Sequence, residues 1–306
     1  MNYAKTFILL GLLTAMFIFI GYALGGKAGM MIALIFSFVM NFVSYWYSDS
    51  IVLKMYQAQE IDKNTFSNYY KLVENLCNNA NLVMPKLYMM ESDIPNAFAT
   101  GRNPQNSAVC ISSAIYNLLS QEELSGVIAH ELAHIKNYDT LTSTIVASLA
   151  SAISMIANIF MFTSLFGGNR DKEGGNPISA IAIMIVAPLV ATIIQMTISR
   201  QREYEADKCG GEICKNPLYL ASALEVLENF NQNHMSKLNP STSHLFIINP
   251  TSDNLFSTHP KTQNRIHQLK LLANQMNIVD NANFNKDFSQ PKSNKTINKD
   301  PNNIWD

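Results

Sequence analysis

The chain alternates between long charge-free stretches and polar ones. Thr6 to Gly26 (TFILLGLLTAMFIFIGYALGG) has no ionisable group except a tyrosine hydroxyl, and Ala28 to Ser48 has no charged side chain. Each reaches the roughly 20 residues that span a hydrocarbon core of about 30 Å. Only the short Gly25–Gly29 region, with Lys27, separates them, so the pattern predicts a helical hairpin closed by a tight glycine turn. A third stretch, Leu141 to Phe166, is charge-free but rich in Ser, Thr and Ala. A fourth, Pro177 to Ser199, follows the polar loop GGNRDKEGGN. Pro177 stands where a first-turn proline belongs, and Pro188 predicts a kink that a packed membrane helix tolerates.

The pattern therefore divides the chain into two transmembrane hairpins, 6–48 and 141–199, and two polar parts, 49–140 and 200–278. Residues 279–306 are rich in Asn, Lys and Asp, bury little, and are expected to form a disordered tail. Short strands are predicted at Lys86–Glu91, Asn96–Thr100 and Ala108–Ser112. Ser120 and Glu123 have capping-box spacing, which predicts a helix from Gln121 to Lys136. His234 to Ser257, with Asn239-Pro240 and Asn249-Pro250, reads as a long loop and a candidate lid. No internal repeat is visible.

Composition agrees with a membrane chain. Charged residues make up 15% of the 306 positions, against roughly 25% in an ordinary soluble chain. The net charge of −1 argues against nucleic acid as a partner. Cys77, Cys110, Cys209 and Cys214 form no CxxC pair and read as free thiols in a reducing compartment. Lys5, Lys54, Lys63, Arg200, Arg202 and Lys208 flank the spans on one side, with Lys27, Arg170 and Lys172 on the other. The positive-inside bias puts both termini and both polar parts in the cytoplasm.

The chemistry is concentrated in His130-Glu131-Leu132-Ala133-His134. Residues i and i+4 of a helix share a face, so both imidazoles can reach one ion, with Glu131 in reach of a water on it. This is the arrangement of a zinc site with a carboxylate general base. A third ligand is needed, and Glu203 in SRQREYEADKCGG is the candidate. Asp207 shares its helix face and is placed to accept the free N–H of a ligand histidine, most simply His130. Two apolar spans separate His134 from Glu203, so all three ligands lie on one side of the membrane. Cys209 leaves a four-ligand structural site open by spacing. His234, His244 and His267 lack ligand spacing and read as surface or loop residues.

HELAH, the ExxxD of SRQREYEAD, and STHPKTQNRI resemble the HtpX family of membrane-integrated zinc metalloproteases, relatives of the CAAX prenyl endopeptidases. The resemblance covers roughly Thr6 to Leu272. It implies a mainly α membrane protein with four transmembrane helices and a cytoplasmic α+β, zincin-like catalytic domain with a small β-sheet. It also implies one zinc per chain on His130, His134 and Glu203, with Glu131 catalytic and Asp207 behind a ligand. His259 and Arg265 would sit near the substrate carbonyl, where donors stabilise a developing oxyanion. Asn96, Ala97, Phe98 and Ala99 resemble the strand beside the family's cleft, where an extended peptide could add by backbone pairing. The expected activity is endoproteolysis of misfolded or damaged membrane proteins at the inner membrane of the cell, a stress and quality-control role. The expected partners are protein substrates and the lipid bilayer, and a homo-oligomer is compatible. A CAAX-type prenyl endopeptidase and a non-enzymatic scaffold with a structural metal are the competing readings.

Overall fold

The computed structural model describes residues 2–141, 200–234 and 260–278. Nearly all of the third apolar segment, the fourth, the expected loop from His234 to Ser257 apart from His234 itself, His259, and the tail 279–306 lie outside the described residues.

The first helical segment, α1, runs Asn2–Met55, yet it is not one straight rod. Thr14 and Asn41 would stand about 40 Å apart on a straight helix at ~1.5 Å per residue. Instead Asn41 Nδ2 donates to Thr14 Oγ1 at 2.9 Å, and Phe17 meets Phe36 edge-on at 5.6 Å. The chain reverses at Gly26, whose φ of 58° is left-handed and suits a residue without Cβ. Gly21 and Gly29 lie so close that a Cβ on either would meet the other's carbonyl. Within α1, Gly26–Tyr47 is 22 residues at a mean hydropathy of 1.8, the one stretch among the described residues long and apolar enough to cross a membrane. Phe19, Ile32 and Phe38 stand exposed on the hairpin, the kind of apolar surface that water does not favour.

The C-terminal end of α1 leads into a four-stranded sheet. Its strands are β1 (Gln59–Glu60), β2 (Lys86–Met90), β3 (Ala97–Asn103) and β4 (Asn106–Ser112). The order is β1-β2-β4-β3, with β2 and β4 parallel and the outer pairs antiparallel. Side chains alternate across the sheet as strand geometry requires. Ala108 and Cys110 pack with Phe98, Met90, Val52 and Leu53 on the α1 side. Val109, Ile111, Leu87 and Ala97 join the main core on the other. Among the described residues strand β3 is an edge of the sheet.

The main core is built around α4 (Gln121–Lys136), which follows α2 (Ser67–Ala80) and α3 (Ser113–Leu118). Val127, Ile128, Ala129, Leu132 and Ala133 are fully buried. Helices α5 (Arg200–Ile213), α6 (Pro217–His234) and α7 (Thr262–Gln275) complete the domain. Lys261 is the N-cap of α7, so Pro260 lies outside the first turn.

Candidate metal centre

Helix α4 is fixed at its start by the expected capping box. Ser120 Oγ accepts from the Glu123 N–H at 3.2 Å, and Glu123 Oε2 accepts from the Ser120 N–H at 2.9 Å. The other Glu123 oxygen accepts from Ser222 Oγ at 2.6 Å, which ties α4 to α6. On α5, Glu203, Asp207 and Gly210 fall at i, i+4 and i+7, one helical face. Gly210 brings that face against α4. A Cβ there would sit 2.9 Å from the His130 backbone N and Cα.

The result is a three-ligand cluster. His130 Nε2 and His134 Nε2 are 3.2 Å apart, and Glu203 oxygens lie 3.6 Å and 3.7 Å from them. Zinc bonds of about 2.0–2.1 Å in a tetrahedron set ligand atoms roughly 3.4 Å apart, so the donor set and its spacing fit zinc. Cys209 is not part of the cluster. Among the described residues three side chains come together as candidate ligands, and a catalytic zinc takes three protein ligands and keeps one position open.

Each ligand histidine is backed by a carboxylate. His130 Nδ1 lies 2.9 Å from Asp207 Oδ1, the contact that fixes which imidazole nitrogen is free for a metal. Arg265 then grips Asp207 through Nη2 at 2.6 Å and Nε at 2.8 Å. The sequence placed Arg265 near a substrate carbonyl; in the structure its Nε and Nη2 face Asp207. Its side chain is 1% exposed and directed onto Asp207, because a buried carboxylate requires a paired cation. His134 Nδ1 lies 3.3 Å from Asp139 Oδ2. Asp139 was not singled out from the sequence. The available signal was a carboxylate five residues after the second histidine, just past the helix end.

Burial works against a charge on His130, but Asp207 and Glu203 beside it prevail and push its pKa up to about 9. Burial would likewise raise Asp207, yet the Arg265 guanidinium holds it down at about 2. Glu131 is buried between the ligands and the sheet, and burial raises its pKa against the pull of His130 and His134. Its Oε2 accepts from the Ala99 N–H at 2.7 Å. Phe98 pairs with Cys110 and Ala99 with Val109 on β4, and the Ala99 N–H is directed to Glu131, away from that ladder. Asn96 precedes β3 and is buried, with both amide atoms lacking a hydrogen-bond partner. His267 is exposed, as its spacing suggested.

Residues 64–273 match the model of peptidase family M48. The chain belongs to peptidase family M48. That match contains every member of the cluster: His130, Glu131, His134, Glu203, Asp207 and Arg265. This M48 chain is 51% identical over 245 residues to the Protease HtpX homolog of Desulforapulum autotrophicum, covering 79% of each sequence. The HtpX resemblance read from HELAH and ExxxD therefore holds. The crystal structure of S. mikatae Ste24p aligns over 88% of this chain at a TM-score of 0.50 and 18% identity, which shows a shared fold. This M48 chain spans 65% of that protein's length.

Proposed function

We propose that the protein is an HtpX-like, membrane-bound zinc endopeptidase that cleaves misfolded or damaged membrane proteins on the cytoplasmic face. The observation that carries this reading is the convergence of His130, His134 and Glu203 within 4.8 Å, with Glu131 beside them at the edge strand. The apolar, largely exposed hairpin arm Gly26–Tyr47 supports a membrane location. The four-span topology and inward orientation rest on the hydropathy and charge pattern of the sequence.

His130, His134 and Glu203 would hold the ion. When bound, zinc supplies Lewis acidity toward a carbonyl and a water. Asp207 and Arg265 keep the His130 ring in one orientation. Glu131 takes a proton from the attacking water and returns it to the leaving amine, and a carboxyl raised by burial suits both halves of that transfer. The outer edge of β3 offers backbone groups to an extended peptide, and backbone pairing tolerates many sequences, as substrates defined by misfolding demand. The Asn96 amide, buried without a partner, can donate to and accept from that peptide's main chain. His259 is carried as the oxyanion donor by the family resemblance alone.

The test is Glu131→Gln in detergent-purified protein. Zinc content should remain stoichiometric while casein cleavage falls by roughly 10²–10⁴, the usual contribution of a general acid–base. Retained proteolysis removes Glu131 from the mechanism. His130→Ala or His134→Ala should lose the metal as well.

A further inference from the structure

Two imidazoles hold the candidate ion, and both have an Asp–Arg pair behind them. Behind His130 stand Asp207 and Arg265, all from packed helices. Behind His134 stand Asp139 at 3.3 Å and, 3.9 Å from the other oxygen of Asp139, Arg202 Nη1. We propose that Asp139 is a positioning residue for His134, held by Arg202, so that the second imidazole is oriented by the two ends of the segment between residues 141 and 200. The proposal rests on the metal reading above and deepens it.

The backbone puts Asp139 where this role needs it. Helix α4 ends at Lys136, Asn137 is its cap, and Tyr138 takes the left-handed conformation at φ 60°. The Asp139 N–H then returns to the His134 carbonyl at 2.9 Å, and the Tyr138 N–H to Ile135 at 3.1 Å. These are the two bonds of a Schellman turn. The residue whose carboxylate faces the His134 ring is thus also hydrogen-bonded to the His134 backbone, so ring and carboxylate are held in one frame. The Asp139 side chain is 6% exposed, which favours a specific partner over solvent. Arg202 lies one residue before Glu203 on α5. One turn of α5 therefore supplies the third ligand and the cation that holds the carboxylate behind the second. Nothing in this arrangement requires Asp139 or Arg202 to touch substrate. Their effect passes through the orientation and basicity of His134.

The experiment measures zinc affinity by competition with a chromophoric chelator on the full-length, detergent-purified protein, with cobalt substitution as a spectroscopic readout. Asp139→Asn should weaken zinc within the roughly 10–100-fold range seen for carboxylates behind ligand histidines, and Asp139→Ala should weaken it further. The melting temperature of the metal-free protein should be unchanged in Asp139→Asn. Arg202→Gln should weaken zinc by less, with Arg202→Lys restoring it. Both Asp139→Asn and Arg202→Gln should shift the cobalt absorption bands, which a fold defect elsewhere would leave in place. Wild-type affinity and an unshifted cobalt spectrum in Asp139→Asn overturn the proposal. If Asp139→Asn fails to fold, the Arg202 pair decides in the same way. His134→Ala is the control for the underlying reading. Loss of metal there with no effect at Asp139 sinks the positioning role alone, whereas retained metal sinks the site itself.

Discussion

The two arms of the candidate metal centre use the same chemistry at different depths. The His130 arm is short and dry: 2.9 Å to Asp207, then 2.6 Å and 2.8 Å to Arg265. The His134 arm is looser, at 3.3 Å and 3.9 Å, and its Arg202 side chain is 13% exposed against 1% for Arg265. The deep arm is held by α4, α5 and α7, whose apolar residues share one core. The shallow arm is held by a helix terminator and by the first turn of α5. Rigidity at one ligand is thus a property of the fold, while at the other it depends on a local turn and one cation.

The largest effects should separate the arms by stability. Arg265→Leu leaves Asp207 charged and buried without its cation, and breaking a buried pair from one side costs about 3–5 kcal/mol. Arg202→Leu removes a longer contact, 3.9 Å from Asp139, so a smaller loss is expected there. Denaturant or thermal unfolding of the metal-free variants reads the difference. Equal losses would show that depth does not distinguish the arms.

Metal affinity gives the next contrast. Asp207→Asn should fall toward the upper end of the roughly 10–100-fold range, and Asp139→Asn toward the lower end, because the shorter, drier contact orients its imidazole more strictly. Reversal of that order in chelator competition would make the helix terminator the stricter of the two supports.

Acidity sharpens the comparison on the deep side. His130 is raised from its ordinary value to about 9 in the metal-free protein. A raised histidine contributes stability that is complete below its unfolded pKa of about 6.5 and lost as pH rises through the folded value. Metal requires the neutral ring, so zinc competes with that proton, and its affinity should climb as pH rises toward about 9 and level off above it. Removing the carboxylate in Asp207→Asn withdraws most of what raises His130, so the climb should finish at lower pH. An unchanged profile in Asp207→Asn would mean that another group controls it.

Legibility in the sequence followed the same division. The capping box marked the start of α4 at Ser120 and Glu123 because those bonds are local. Helical spacing put His130, His134, Glu203 and Asp207 on their faces, and alternation found three of the four strands within a few residues. Glu203, the third member of the cluster, was reachable because ExxxD is itself a local pattern. What sequence missed depends on meetings far along the chain or on a single backbone angle. The contact of Arg265 with Asp207 joins residues 58 positions apart, which no local pattern shows. The two-residue strand β1 exists only through its pairing with β2. Gly210 looked unremarkable until α5 lay against the His130 backbone. Asp139 was hidden because a helical wheel says nothing about the residue after the helix has stopped.

The smallest expected effect tests that last point most directly. Tyr138 occupies the left-handed position of the Schellman turn, where a residue with Cβ is strained by about 1 kcal/mol and glycine is not. Glycine also gives the unfolded chain more freedom, which offsets that gain by a similar amount, about 0.4–1 kcal/mol. Tyr138→Gly should therefore unfold close to wild type and bind zinc with unchanged affinity, because the Asp139 N–H still reaches the His134 carbonyl. Tyr138→Pro supplies the opposing control. Its φ is fixed near −65° and it has no N–H to give Ile135, so the turn cannot form although Asp139 itself is intact. If the proline variant binds zinc as tightly as the glycine variant, the carboxylate reaches His134 without the turn, and the backbone frame is irrelevant to the shallow arm.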